Sequence, residues 1–141
     1  MSNLDPQTAR GIKVLCERGY ELYDQENYKT ALRVFYQAWL RVPKPQTDWL
    51  EAGLILTAIG DTYFRLNQYD QACEALGSAL HCPSIDKSPF IHLRLGQSFL
   101  NQGNMSRARQ TLYQAYTLGG KSVFEKESSR YLDAIKDIVF E

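Results

Sequence analysis

Gly19, Gly60 and Gly96 each begin the same count: an alanine follows twelve residues later and a second seven beyond it, giving Ala31 and Ala38, Ala72 and Ala79, and Ala108 and Ala115. A large apolar residue stands three after each glycine (Leu22, Tyr63, Phe99), and another four after each first alanine (Phe35, Leu76, Leu112). A threefold match at fixed spacing restricts the chain to architectures in which one unit is built three times and stacked. Small residues at the glycine and alanine positions let two antiparallel helices approach closely, and the larger apolar residues at helical spacing fill the seam between them. Each unit is therefore predicted to be a helical hairpin. The turns fall at Gln25-Glu26-Asn27, Asn67-Gln68 and Asn101-Gln102-Gly103-Asn104, all rich in residues that accept turn geometry. Helix starts are predicted at Asp5-Pro6 and Ser88-Pro89, as cap plus first-turn proline, and at Asp48 with Glu51 as a capping box.

The first unit runs through Leu15, Arg18, Gly19, Leu22, Ala31, Phe35 and Pro43. The second runs through Leu56, Ile59, Gly60, Tyr63, Ala72 and Leu76, and the third through His92, Leu95, Gly96, Phe99, Ala108 and Leu112. This pattern resembles the tetratricopeptide repeat, whose signature is W-x2-L-G-x2-Y, then A-x3-F, then P, in a period of about 34 residues. The resemblance implies an all-α fold, with antiparallel hairpins stacked as a right-handed solenoid. Repeats are expected over about residues 12–45, 53–86 and 89–120 of one domain, followed by a capping helix over about 121–140. Phe124, Leu132, Ile135 and Val139, near helical spacing with charges between them, suit the polar-faced cap that a repeat stack needs. The glycines lie 41 and then 36 residues apart, so both inter-repeat segments are longer than usual. Most of the first surplus falls in Pro43 to Trp49, and the apolar run from Trp49 through Ile59 predicts a lengthened first helix in the second repeat.

Composition excludes several functions. Sixteen Lys and Arg balance sixteen Asp and Glu, leaving no positive excess to favour a nucleic acid partner. No run of about 18 apolar residues occurs without a charge, and Met1 to Arg10 carries no export pattern, so neither membrane insertion nor secretion is expected. Cys16, Cys73 and Cys82 are odd in number and lack C-x-x-C spacing, which favours a cytoplasmic setting over a disulfide framework or zinc site. His81 and His92 have no ligand-like spacing to each other or to a carboxylate, and no phosphate loop or nucleophile elbow is present. Gly119-Gly120 reads as a helix stop. No catalysis and no cofactor are expected.

In the family that the chain resembles, the first helices of the hairpins line a concave face that binds peptides. Positions three before, one after and four after each glycine then face the groove: Cys16, Tyr20 and Tyr23; Thr57, Asp61 and Phe64; Leu93, Gln97 and Leu100. Leu54 and Phe90 extend that face by a turn, and Arg94 stands ready to hold a carboxylate or backbone oxygen. The set is apolar with few charges, as expected of a surface that takes a protein or peptide partner. Tyr20, Phe64 and Leu93 are the strongest candidates for anchors, whereas Tyr28, Tyr63, Tyr69 and Phe99 suit the core.

The family's carboxylate clamp, which grips acidic chaperone tails, would require basic or amide side chains where this chain has Cys16, Tyr20, Ala58 and Phe90; only Arg94 fits. That activity is not expected. The architecture is also similar to that of the bacterial chaperones of type III secretion translocators, which combine three such repeats with a terminal helix. An adaptor or chaperone is the expected role. The alternatives are a stoichiometric inhibitor, such as an immunity protein, and a scaffold that self-associates as a homodimer through Trp39 or Trp49.

Overall fold

Asp5 starts the chain's first helix. Its carboxylate accepts hydrogen bonds from the backbone N–H groups of Gln7 (3.1 Å) and Thr8 (3.3 Å), and Pro6 occupies the first helical position, where its missing N–H costs nothing. The computed structural model describes residues 4–83 and 85–140; Met1 to Asn3, the head of the stretch read above for export signals, lie outside them. Six principal helices form three hairpins: α1 (Pro6–Asp24) with α2 (Tyr28–Arg41), α3 (Leu50–Arg65) with α4 (Tyr69–Ala79), and α5 (Pro89–Asn101) with α6 (Met105–Gly119). Each hairpin packs on the next through α2 against α3 and α4 against α5. There is no strand among the described residues, and no helix there is long and apolar enough to cross a membrane.

The glycines act as notches. A Cβ on Gly19, Gly60 or Gly96 would lie under 3.0 Å from Phe35, Leu76 or Leu112 respectively, each sixteen residues further along. The six alanines of the count are all fully buried, as are Phe35, Leu76 and Leu112. Hairpin closure is thus one lock used three times, a large side chain seated where its partner helix has no Cβ. The turn after each first helix also repeats. Glu26, Asn67 and Gly103, each seven past its glycine, adopt the left-handed conformation, with φ of 61°, 60° and 83°.

Three local expectations need correction. Asp48 does not cap the second hairpin; it closes a short 3-10 turn, Gln46–Asp48, and Trp49 takes the cap position without a side-chain bond. The loop geometry explains this. Gln46 donates its side-chain N–H to the Trp39 carbonyl, and the Trp49 indole donates to the Pro43 carbonyl, both at 2.9 Å, so the segment is folded onto the end of α2 before α3 begins. Trp49 is half-buried against the core, and its indole N–H is satisfied within the chain. The lengthening of α3 is correspondingly modest: it has 16 residues, against 13 in α5 and 19 in α1.

The second surplus also packs inward. Cys82 and Ile85 are buried against Gly53 of α3, and a His92 ring nitrogen lies 2.7 Å from the Asp86 carbonyl, fixing the loop before α5.

The third correction concerns the terminal segment, which is not one helix. Gly120, with φ of 74°, ends α6. A 3-10 turn, Lys121–Phe124, follows, then two short helices, α7 (Ser129–Asp133) and α8 (Lys136–Val139). Ser128 is extended (ψ 139°), so the backbone leaves the helical region just before α7. The break lets Phe124, Tyr131 and Ile135 all reach a small second core with Leu93, Leu112 and Ala115. Arg109 of α6 clamps the segment from outside, with paired hydrogen bonds to Asp137 and one to the Ala134 carbonyl.

Filling a notch should break the lock that it serves. Gly60→Ala is expected to lower unfolding free energy by about 1–3 kcal/mol in urea titration, and a neutral result would show that Leu76 can move aside at no cost.

Candidate partner-binding groove

Helices α1, α3 and α5, the first of each hairpin, adjoin in turn, α1 and α3 across a cleft and α3 against α5, and helical periodicity decides which side chains they present. Positions one turn apart share a face, so Cys16 and Tyr20 of α1 lie opposite Leu54 of α3, and together they line an open cleft of about 410 Å³. Tyr20 and Leu54 are 47% and 52% exposed, so two large apolar side chains meet at one cleft that no other described part of the chain covers. Tyr20 packs edge-on against Phe35 (5.1 Å between ring centroids). Desolvation, with smaller effects from Cys16 and Asp61, pushes its phenol up to about 12, so it remains a neutral hydrogen-bonding group throughout the physiological range.

Tyr23 and Thr57 are half-buried. Tyr23 accepts a hydrogen bond from Arg65 at 2.8 Å and packs edge-on against Tyr28. Thr57 donates its hydroxyl to the Gly53 carbonyl within its own helix.

Most of the other half of the groove is closed, with Phe90 at the start of α5 still exposed. Arg94 is 3% exposed and donates to Asp61 at 2.5 Å, to Glu127 at 2.9 Å and to the Gln97 side chain at 2.8 Å. Gln97 in turn donates to the same Glu127 oxygen at 2.6 Å. Burial opposes the charge of Arg94, but the charge and hydrogen bond of Asp61, with Glu127 behind them, outweigh it and raise the guanidinium pKa. The planar group also lies over the rings of Phe64 (4.8 Å) and Phe90 (5.0 Å), an arrangement that favours a cation further. Asp61, Phe64, Phe90, Arg94 and Gln97 are therefore brought together around one guanidinium, and the fourth side of that site is the chain's own terminal segment.

The same segment covers the remaining candidates. Leu93 is 2% exposed, buried among Phe124, Tyr131 and Ile135, and Leu100 packs against that cluster. Asn101 donates to the Tyr131 hydroxyl at 2.9 Å and accepts from Arg130. Leu93, Arg94 and Gln97, expected as open groove contacts, are instead enclosed. The reason is that three large side chains of the cap gain about 1.5–3 kcal/mol each by burial there. Displacing them would cost a ligand all of that.

Sequence reasoning overlooked Ile12 and Glu51, which line the open cleft one turn before Cys16 and Ile55; extending the groove count by one turn on α1 and α3 would have found them. Oε1 of Glu51 is buried without a hydrogen-bond partner, a condition that costs about 1–3 kcal/mol or more for a charged group. Glu127 and Tyr131 carry no comparable sequence signal, since their roles depend on where the broken cap turns back. The cysteines are poor nucleophiles: desolvation raises all three, Cys73 to about 11, so little reactive thiolate exists near neutral pH. Among the described residues no group of three His, Cys, Asp or Glu is placed to hold a metal ion.

Family profiles described as tetratricopeptide repeat match residues 55–80 and 92–117. The chain carries tetratricopeptide repeats. Solved structures with the same fold include the type III secretion chaperone SycD of Yersinia enterocolitica in complex with a peptide of the translocator YopD. It is 18% identical, with a TM-score of 0.72 over 99% of this chain and 98% of that one. PcrH of Pseudomonas aeruginosa is 16% identical, with a TM-score of 0.70 over 97% and 96%. The second repeat domain of human RPAP3, in complex with an HSP70 peptide, is 14% identical, with a TM-score of 0.67 over 94% and 96%. A comparison with curated protein sequences gives no match. The repeat stack is thus shared with these proteins, while the identities are too low for their ligands to be carried over.

If the buried guanidinium holds the cap to the stack, Arg94→Ala should cost about 3–5 kcal/mol of stability, because Asp61 and Glu127 lose their common partner. Chemical denaturation measures this, and a loss below 1 kcal/mol would show the cluster to be ornamental.

Proposed function

We propose that this protein is a non-enzymatic adaptor or chaperone that binds a segment of another protein in the open, amino-terminal half of its concave groove. The observation that carries this reading is the contrast between the two halves. The terminal segment covers Leu93 and Leu100 on α5, with Phe90 at the helix start still 38% exposed, whereas nothing covers Tyr20 and Leu54 across a cleft between α1 and α3. Folding thus covers most of the α5 face and leaves the α1–α3 cleft open, and an uncovered apolar cleft is where a partner gains most by binding. Cys16, Tyr20, Leu54 and Thr57 are the direct contacts in this account, with Tyr23 and Phe64 at the inner edge. Asp61, Arg94 and Gln97 shape the floor without touching the partner.

Peptide-bound structures among those sharing the fold support a protein-binding role. The SycD structure contains a translocator peptide, and a PcrH structure contains the chaperone binding region of PopB. Clamping of an acidic tail, as with the HSP70 and HSP90 peptides bound to RPAP3 domains, is not favoured here, because Arg94 is already neutralised by two carboxylates of its own chain. The three thiols are all free, which accords with work in the cytoplasm.

The test is capture from a lysate of the source organism with tagged wild-type protein and with Tyr20→Glu combined with Leu54→Glu. Both sites are surface-exposed, so the double variant should fold normally by circular dichroism and lose a dominant bound protein at least tenfold, as central contacts do. Equal capture by the two proteins would rule out this cleft as the binding surface.

A further inference from the structure

The open cleft carries one polar feature that apolar anchoring does not explain. Among the described residues, Oε1 of Glu51 is the single buried side-chain oxygen or nitrogen left without a hydrogen-bond partner. Elsewhere the chain satisfies such groups with care: Thr62 and Ser98 bond backbone carbonyls one turn back, and Gln97 and Arg94 satisfy each other and their carboxylates. Glu51 stands in the first turn of α3, where a carboxylate is favoured by the helix dipole, but that position has not given Oε1 a donor.

The charges around it lean the same way. Glu17 faces the cleft from α1, and Lys13 is the one cation in the lining, so two carboxylates meet one ammonium. A donor arriving with a ligand would therefore balance the local charge and, once the Glu51 carboxyl turns toward it, satisfy the orphaned oxygen. We infer that this cleft takes a segment of a partner protein in which a large aliphatic or aromatic side chain lies beside a lysine or arginine, the apolar group packing between Tyr20 and Leu54 and the cation meeting Glu51. The inference rests on the groove reading above and specifies its ligand. It selects against acidic segments. The occupant is also short, since Glu127 and Tyr131 fill the α5 end of the same face.

Selection from a displayed library of random nine-residue peptides tests this, using wild-type protein, Glu51→Gln and Leu54→Glu. Wild type should enrich peptides that pair Lys or Arg with Leu, Ile, Met or Phe. A selected peptide, resynthesised, should bind Glu51→Gln about tenfold more weakly, the size expected for one charge-assisted hydrogen bond, and should weaken as salt rises. Glu51→Gln should keep the wild-type fold by circular dichroism, because the altered oxygen had no partner and loss of one first-turn charge is a small cost. Enrichment of apolar peptides without a basic residue, bound equally by Glu51→Gln but lost in Leu54→Glu, would overturn the inference and leave the groove reading standing. Binding that ignores Leu54→Glu, or no enrichment over that variant, would overturn both.

Discussion

A guanidinium withdrawn from water must be paired with hydrogen-bonded acceptors or it destabilises the fold that encloses it. Arg94 meets that requirement with groups from three places: Asp61 on α3, Gln97 on its own helix, and Glu127 in the terminal segment. Because the acceptors come from successive parts of the stack, satisfying one charge fixes how the second repeat sits on the third and where the cap begins to turn back. Phe64 and Phe90 flank the cation and exclude water from the pair. The path of the cap, the burial of Leu93 and the division of the groove into a closed and an open half all follow from that arrangement.

The division matters for what the surface can do. Leu93 and Leu100 on the α5 face are already matched to Phe124, Tyr131 and Ile135, so they offer a ligand little that the chain does not supply itself. Tyr20 and Leu54 have no such cover. A shared repeat stack therefore does not imply a shared ligand. At 14–18% identity to the peptide-bound structures described above, the recognition chemistry must be read from this chain's own cleft, whose charged members are Lys13, Glu17 and Glu51.

Much of the scaffold was legible in the sequence because it rests on short-range periodicity. The glycine and alanine spacings mark helix contacts within one hairpin, and the turn positions recur seven residues past each glycine. Counting from the same glycines also grouped Cys16, Tyr20 and Leu54, which line one cleft. What the count could not supply was the partner of each position across the fold. Arg94 and Glu127 are 33 residues apart, as are Arg94 and Asp61, and no local pattern joins them. The cap was misread for a related reason. Its apolar spacing fits a helix, but the backbone is extended at Ser128, and the bent path serves a core shared with α5 and α6. Asp48 failed as a cap because bonds from Gln46 and Trp49 hold the preceding loop in a different geometry.

Amide hydrogen exchange over residues 121–139, compared between wild type and Glu127→Gln, probes the central claim that one buried cation holds the cap across half the groove. The account predicts that Tyr131, Ala134 and Ile135, whose N–H groups are bonded within the cap, exchange slowly in wild type and markedly faster in the variant, with α1 and α2 unchanged. Fast exchange of the cap in wild type, or slow exchange that survives Glu127→Gln unaltered, would contradict it.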